Sequence, residues 1–255
     1  YGLSDPLPKQ YFDYMKNFFQ GDFGVSFVRP EVKIMDRIKS VIQVSLFLNI
    51  IALLIVTLLA PLLAGAALLI PSLDFAIRQL CIVLISLPSL FLAPLLIWCF
   101  AVYLGWFPVA LLGSPMHWVL PVATLSVRPL AQLTRVLLRA LDNQKAMDYV
   151  RAARARGLSE VRILFKHILP NSLIPVLAYY PILAVGLLSG TFLVELLFAI
   201  PGIGSEFVLA LNERDYPMLG GLIFIVGSLY IVFSFLTEAF MLKIDPRLIE
   251  ENRAD

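Results

Sequence analysis

The stretch "DYVRAARARGLSEVRILFKHILPN", Asp148 to Asn171, decides how the rest of the chain is read. It carries Arg151, Arg154, Arg156, Arg162 and Lys166, and it separates two long apolar runs. One run ends near Leu141 and the other opens near Leu169. A basic break between apolar runs of about 20 residues is the pattern of a loop joining two membrane-crossing helices. The whole chain agrees with that reading. Of its 255 residues, 60% are hydrophobic and 15% charged, and the mean hydropathy is +0.86. Soluble domains sit nearer half apolar and about a quarter charged. A membrane barrel would show short alternating segments of about ten residues, and these runs do not alternate. The fold class is therefore all-α, a polytopic helical membrane protein.

Five spans are predicted: about Val41–Ala64, Ile77–Leu104, Trp118–Leu141, Leu169–Phe198 and Met218–Leu242. The basic loop 142–168 falls on the cytoplasmic side by the positive-inside rule. The tail 245–255, with Arg247 and Arg253, falls there too. The loop Gly105–His117 carries no Lys or Arg and falls outside, flanked by Trp106 and Trp118. Residues 1–39 then also fall outside although they contain six cations, Lys9 to Lys39. A long loop obeys the charge rule poorly, so a further span upstream of Tyr1 is expected. Within this segment Gln10–Phe19 mixes aromatic and polar residues and reads as a short amphipathic helix on the outer membrane surface. The transmembrane domain covers 40–244, with an external loop at 199–217.

The residues for catalysis are missing. No G-x-x-x-x-G-K-[ST] occurs, so no phosphate-binding loop for ATP is expected. His117 and His167 are the only histidines, too few for a His-rich metal site. Gly204-Ser205 lacks the frame of an esterase elbow. Cys81 and Cys99 lie eighteen positions apart in one run, roughly 27 Å along a single helix, beyond disulfide reach. The chain is read as no enzyme, with no metal and no cofactor of its own.

The opening stretch has a more specific shape than a topology signal. Ala152, Ala153 and Gly157 give a short helix of little bulk that a partner can approach closely. Pro170 opens the next span, where its missing N–H costs nothing. The pattern resembles the cytoplasmic E-A-A loop of ABC-importer permeases: E-A-A, three residues, G, nine residues, I-x-L-P. Ala152, Ala153, Gly157, Leu169 and Pro170 stand at the matching offsets. Arg151 stands where the family has Glu, and His167 where it has Ile. Both departures are usual in the dipeptide, oligopeptide and nickel branch, whose D-Y-[VI]-R-x-A-R-A-[KR]-G-L is similar to Asp148–Leu158 here. Two further stretches resemble that branch. "FAIPGIGSEFVLALNERDYPMLGG", Phe198–Gly221, carries Pro201, Gly202 and Gly204, then Arg214-Asp215-Tyr216-Pro217. Near the start, "GDFG" at Gly21–Gly24 closes a matching segment.

The resemblance implies a type I-like ABC-importer transmembrane domain in a bacterial-type cytoplasmic (inner) membrane. It implies a second like permease, two cytoplasmic ATPases that hold ATP and Mg, an extracytoplasmic substrate-binding protein, membrane lipid around the bundle, and no nucleic acid. Asp148, Tyr149, Arg151, Ala152, Ala153, Arg154, Arg156, Gly157 and Leu158 would form the coupling helix against one ATPase. Gly157 is expected to resist bulk because a side chain would hold the partner away. The external loop is expected to bend at Pro201–Gly204, form a helix near Ser205–Leu211, and turn Glu206 and Asn212 toward the binding protein. The resemblance implies an ATP-driven importer of di- or oligopeptides, with nickel or another small solute of the same branch as the alternative.

Two readings of other classes stand beside this one: a scaffold whose basic loop binds anionic lipid, and a secondary transporter without ATPases. Polar residues inside the spans separate a path from a scaffold. Asn49, Arg128, Gln132 and Glu195 are the candidates for path lining, with Gln43, Thr134 and Glu238 behind them. Glu195 and Glu238 are alternatively interfacial residues at span ends. Arg128 departs from the branch, which usually has an apolar residue there. It either pairs with Glu195, or reaches up to the outer interface, or lines the path and attracts a carboxylate such as a peptide C-terminus.

Overall fold

The computed structural model of the protein describes residues 6–244. The tail 245–255 lies outside the described residues, as does the side chain of Glu238. Ten α-helices follow one another: α1 Leu7–Phe19, α2 Ile34–Leu69, α3 Pro71–Ser86, α4 Ser89–Leu96, α5 Val119–Lys145, α6 Asp148–Ala155, α7 Glu160–Ile163, α8 Leu169–Leu197, α9 Ile203–Glu213 and α10 Tyr216–Ile244. Among the described residues the only β pairing is an isolated bridge between Val25 and Lys33.

Three helical stretches are long and apolar enough to cross a membrane: Ile34–Leu69, Glu160–Leu197 and Tyr216–Leu236. The stretch expected to form one span over 77–104 is a bent pair of helices, apolar enough together to cross as one broken span. Helix α3 stops at Ser86 and the chain leaves at 110° through Leu90–Tyr103. The cause is Pro88, whose ring pushes the preceding residue out of helical geometry. Leu87 accordingly sits at φ −73°, ψ 125°. Beyond α4 the chain widens into a π-helix, Ile97–Tyr103.

The expected third span is one continuous helix, less apolar than the other three. Helix α5 has 27 residues, long enough to cross, but it carries Arg128, Arg135 and Arg139 and is not among the helices apolar enough to do so on composition. It stands in the middle of the bundle, packed by α2, α3, α4 and α8. A helix sheathed by its neighbours does not need a lipid-compatible surface all round.

Helix α2 fits against α5 through a stripe of small residues. Ala52, Ala60 and Ala64 repeat at helical spacing with Leu48 and Val56, and all are fully buried. Small side chains let two backbones approach where no water drives association. The opposite face of α2 shows Ile50, Leu54, Leu58 and Leu62, exposed in the isolated chain and suited to lipid.

A second, smaller core lies at the other end. Phe23, Ile34, Ile38, Ala210, Met218, Leu219 and Leu222 bury together there. This is why α2 starts seven residues before the apolar run does. Phe18 from α1 stacks edge-on to Phe23 and Phe224, at 5.1 and 4.4 Å. Leu7, Tyr11 and Phe12 of α1 remain exposed.

Candidate functional site

Helix α6 occupies the basic segment. Two of its residues, Val150 and Ala153, are buried in the main core, with Ile163 and Ile168 from the following turns. Asp148, Arg151, Ala152, Arg154 and Arg156 face outward. The helix is thus pinned on one side and leaves a charged face with small residues between the charges. Tyr149 ties it down further. Its hydroxyl lies 2.7 Å from Gln144 Oε1 at the end of α5, and 3.3 Å from the His167 carbonyl just before α8. Asn171 Nδ2 of α8 donates to that same carbonyl at 2.9 Å. Donating to Gln144 and accepting from Asn171 Nδ2 at 3.5 Å, this one tyrosine links α6 to both α5 and α8. The Arg154 guanidinium grips the Glu160 carboxylate with two bonds, 2.6 and 3.1 Å, and holds its pKa below the ordinary range. Arg151 makes a looser contact with Asp148, 3.3 Å.

Gly157 is also constrained by the backbone of its own chain. No atom comes within 4 Å of a Cβ built on it, and its φ is +76°. Its N–H bonds the Arg154 carbonyl, and the N–H of Leu158 bonds the Ala153 carbonyl. That is a Schellman motif, with Gly157 in the left-handed position that ends the helix and Leu158 folding back on the core. The glycine is demanded by the chain's own backbone. The sequence signal was present in the Gly-Leu pair after a short helix.

The expected path residues divide into two groups. Arg128, Gln132 and Tyr179 line one cleft of about 400 Å³ between α5 and α8, with Thr124 and Ser189. Glu195 and Asn49 line another, of about 340 Å³, with Ser45 and Tyr230. The pairing of Arg128 with Glu195 is not formed. Glu195 is fully buried and already engaged: Ser45 Oγ donates to its Oε1 at 2.5 Å and the Gly204 N–H to its Oε2 at 2.6 Å. Ser45 in turn accepts the Ile203 N–H at 2.9 Å. The carboxylate thus caps α9, whose first N–H groups have no intrahelical partner. Nothing in the sequence marked Ser45, which lies 150 positions away from Glu195. Gly202 and Gly204 are required by this approach. A Cβ on Gly202 would lie 2.1 Å from the Glu195 carboxylate, and one on Gly204 2.7 Å from the Phe192 Cα.

The Arg214-Asp215-Tyr216-Pro217 run is a joint between helices. Arg214 ends α9 at φ +59°. Asp215 is buried and caps α10, accepting the Met218 N–H at 3.3 Å. It also accepts the Phe27 N–H at 3.2 Å and the Ser26 hydroxyl. Pro217 sits in the first turn of α10, where it is tolerated. Two ion pairs add to the joint, Arg29–Glu213 at 2.9 Å and Arg37–Glu206 at 2.6 Å. Glu206 is therefore buried against Arg37, a correction to the expectation that it faces outward, whereas Asn212 is exposed. Pro201 is exposed beside the buried Gly202.

Comparison with known proteins accords with this arrangement. The model of the family "Binding-protein-dependent transport system inner membrane component" matches residues 57–250. The dipeptide transport system permease protein DppB of Bacillus subtilis is 38% identical over 250 residues, covering 97% of this chain and 81% of the relative. The oligopeptide transport system permease protein OppB of Haemophilus influenzae is 34% identical over 252 residues, with 97% and 82% covered. Among solved structures, an amino acid ABC transporter crystallised with histidines superposes with a TM-score of 0.67 at 18% identity, covering 82% of this chain and 94% of that one. The inward-facing MetNI methionine ABC transporter gives 0.57 at 14% identity, covering 83% and 96%. At those identities the two structures bear on the fold alone. With three-quarters of its length inside the family match, this chain belongs to the binding-protein-dependent transport system inner membrane components.

Proposed function

We propose that this chain is the transmembrane permease subunit of an ATP-driven importer of di- and oligopeptides. The observation that carries the reading is the seating of α6. It is a short charged helix, held by Val150 and Ala153 and joined through the Tyr149 hydroxyl to Gln144 of α5 and Asn171 of α8. A force applied to α6 reaches both helices that line the Arg128 cleft. The peptide substrate is supported by the two relatives, whose names are dipeptide and oligopeptide permeases.

In this reading 142–168 is cytoplasmic, and α6 docks on an ATPase subunit that holds ATP and Mg. Closure of two such subunits pushes α6 and rocks the bundle against a second permease, a rigid-body switch between two states. The joint around Asp215 and α9 lies outside and receives the substrate-binding protein. Arg29, Arg37 and Asp215 fix the N-terminal segment to α9 and α10, so that face is rigid before any partner arrives.

The test is reconstitution. The permease should co-purify with an ATP-hydrolysing subunit from detergent, and vesicles holding the full complex should take up dipeptides only with ATP. Transport driven by an ion gradient with no ATPase attached would overturn the reading.

The Schellman end of α6 gives a second expectation. A non-glycine residue in the left-handed region costs about 1–2 kcal/mol, less for asparagine. Gly157→Val should unwind the helix end and lose most peptide-stimulated ATP hydrolysis. Gly157→Asn, though larger than alanine, should retain most of it. Equal failure of both would show that the space outside Gly157, not its backbone, is what the partner requires.

A further inference from the structure

Helix α5 carries its charges on one side. Arg128, Gln132, Arg135 and Arg139 follow each other at steps of four, three and four residues, so they fall on a single face. The other side of the helix, Ala131, Leu133, Leu137, Leu138 and Leu141 among others, is buried. Among the described residues none of the three arginines makes an ion pair or hydrogen bond. The acids nearby are committed elsewhere. Asp142 and Asp74 are held by Arg78, at 2.9 and 2.8 Å, and Glu195 is held by Ser45 and Gly204. The face is therefore a cationic track without an internal counter-anion.

Arg128 is the deepest member. It is the tenth residue of α5, about 14 Å along the helix from the Trp118 end. A charge at mid-membrane is costly, and such residues face a water-filled interior or a partner charge. Here it faces the cleft with Gln132, Tyr179, Thr124 and Ser189. No hydrogen bond within the described residues occupies Gln132 or Tyr179. A guanidinium flanked by an amide and a phenol matches a carboxylate, which takes two parallel N–H bonds from arginine.

We propose that Arg128, with Gln132 and Tyr179, binds the C-terminal carboxylate of the peptide in transit, and that Arg135 and Arg139 continue the same track toward α6. This rests on the peptide-importer reading. A single deep site would hold its ligand too firmly; successive arginines a turn apart let the carboxylate pass from one to the next.

The measurement is the ratio of uptake of a tripeptide with a free C-terminus to uptake of the same tripeptide C-amidated, in vesicles holding the complete transporter. Arg128→Gln should lower that ratio about tenfold, the loss of one charge-assisted bond of about 1.4 kcal/mol. Arg128→Lys keeps the charge without the fork and should lower it less. If Arg128→Gln does not reach the membrane, Arg128→Lys and Gln132→Leu carry the same measurement, and an unchanged ratio in both overturns the proposal. A proportional fall of both peptides, with the ratio constant, also overturns it and marks a structural residue. If the arginines hold lipid phosphate instead, the Arg128→Gln effect will require phosphatidylglycerol in the vesicles and will not distinguish the peptides. Failure of the unmutated transporter to take up either peptide, with ATP hydrolysis intact, would instead remove the peptide reading on which this one stands.

Discussion

Glu195→Leu is expected to abolish uptake and to lower the thermal midpoint in detergent by roughly 5–10 °C. The carboxylate is fully buried where α2, α8 and α9 meet. It receives the Ser45 hydroxyl and the Gly204 N–H, and Ser45 receives the Ile203 N–H. Asn49 Nδ2 adds a bond of 2.7 Å to the Ser45 carbonyl. Leucine fills the volume but leaves these donors buried without acceptors, at about 1–3 kcal/mol each. It also removes the anion from the N-terminus of α9. Glu195→Gln keeps one acceptor oxygen and turns an amide N–H₂ toward an existing donor, so it should be intermediate. Gly202→Ala should match the leucine variant, because its Cβ would lie 2.1 Å from the carboxylate. The double variant Glu195→Ala with Gly202→Ala should be no worse than Glu195→Ala alone, since the clash and the bond share one group. An unchanged midpoint and normal uptake in Glu195→Leu would show that the buried network does not hold α9 in place.

The fold was legible where long apolar runs coincide with single helices. Helices α2, α8 and α10 contain the runs that begin near Val41, Leu169 and Met218. Helix α2 is longer than its run, because its first turns bury Ile34 and Ile38 in the second core. Hydropathy alone does not report that. It also did not report the break at Leu87. The run from Ile77 to Leu104 is apolar on both sides of Pro88, and a window average passes over one residue. The steric rule for the residue before proline was the available signal.

Helix α5 shows the opposite case. Its arginines lower its apolarity, yet it is the central helix. Arg128 alone stands out in the sequence, as an isolated departure. The spacing to Arg135 and Arg139 becomes informative only once the other face is known to be buried. The coupling segment was readable as a motif, but the motif offset of Gly157 did not say why glycine is there. The positive φ does. Contacts across long separations were not readable at all. Ser45 with Glu195, and Ser26 with Asp215, are unremarkable residue types until the fold brings them together.

Asp215→Ala is expected to be the second most damaging change, and its effect should appear in two places at once. One carboxylate caps α10 through the Met218 N–H and holds the N-terminal segment through the Phe27 N–H and the Ser26 hydroxyl. Loss of an N-cap costs about 1 kcal/mol, and loss of bonds to a charged group about 1.5–3 kcal/mol each. The segment from Gly21 to Lys33 should then loosen, with the Arg29–Glu213 pair and the packing of Phe23 and Val32 among the ties that stay. Limited proteolysis should cut there faster in Asp215→Ala than in the unmutated chain, and uptake supported by the external binding protein should fall with it. Asp215→Asn separates the two roles. Its remaining oxygen still accepts from Met218 and Phe27, while the amide meets the Ser26 hydroxyl oxygen that already accepts the Arg29 N–H at 2.9 Å. That variant should keep the α10 cap and most thermal stability, and lose part of the hold on Ser26. If Asp215→Asn is cut as fast as Asp215→Ala, the negative charge rather than the cap geometry holds the segment. If neither is cut faster, the joint is held by Arg29 and the aromatic packing instead.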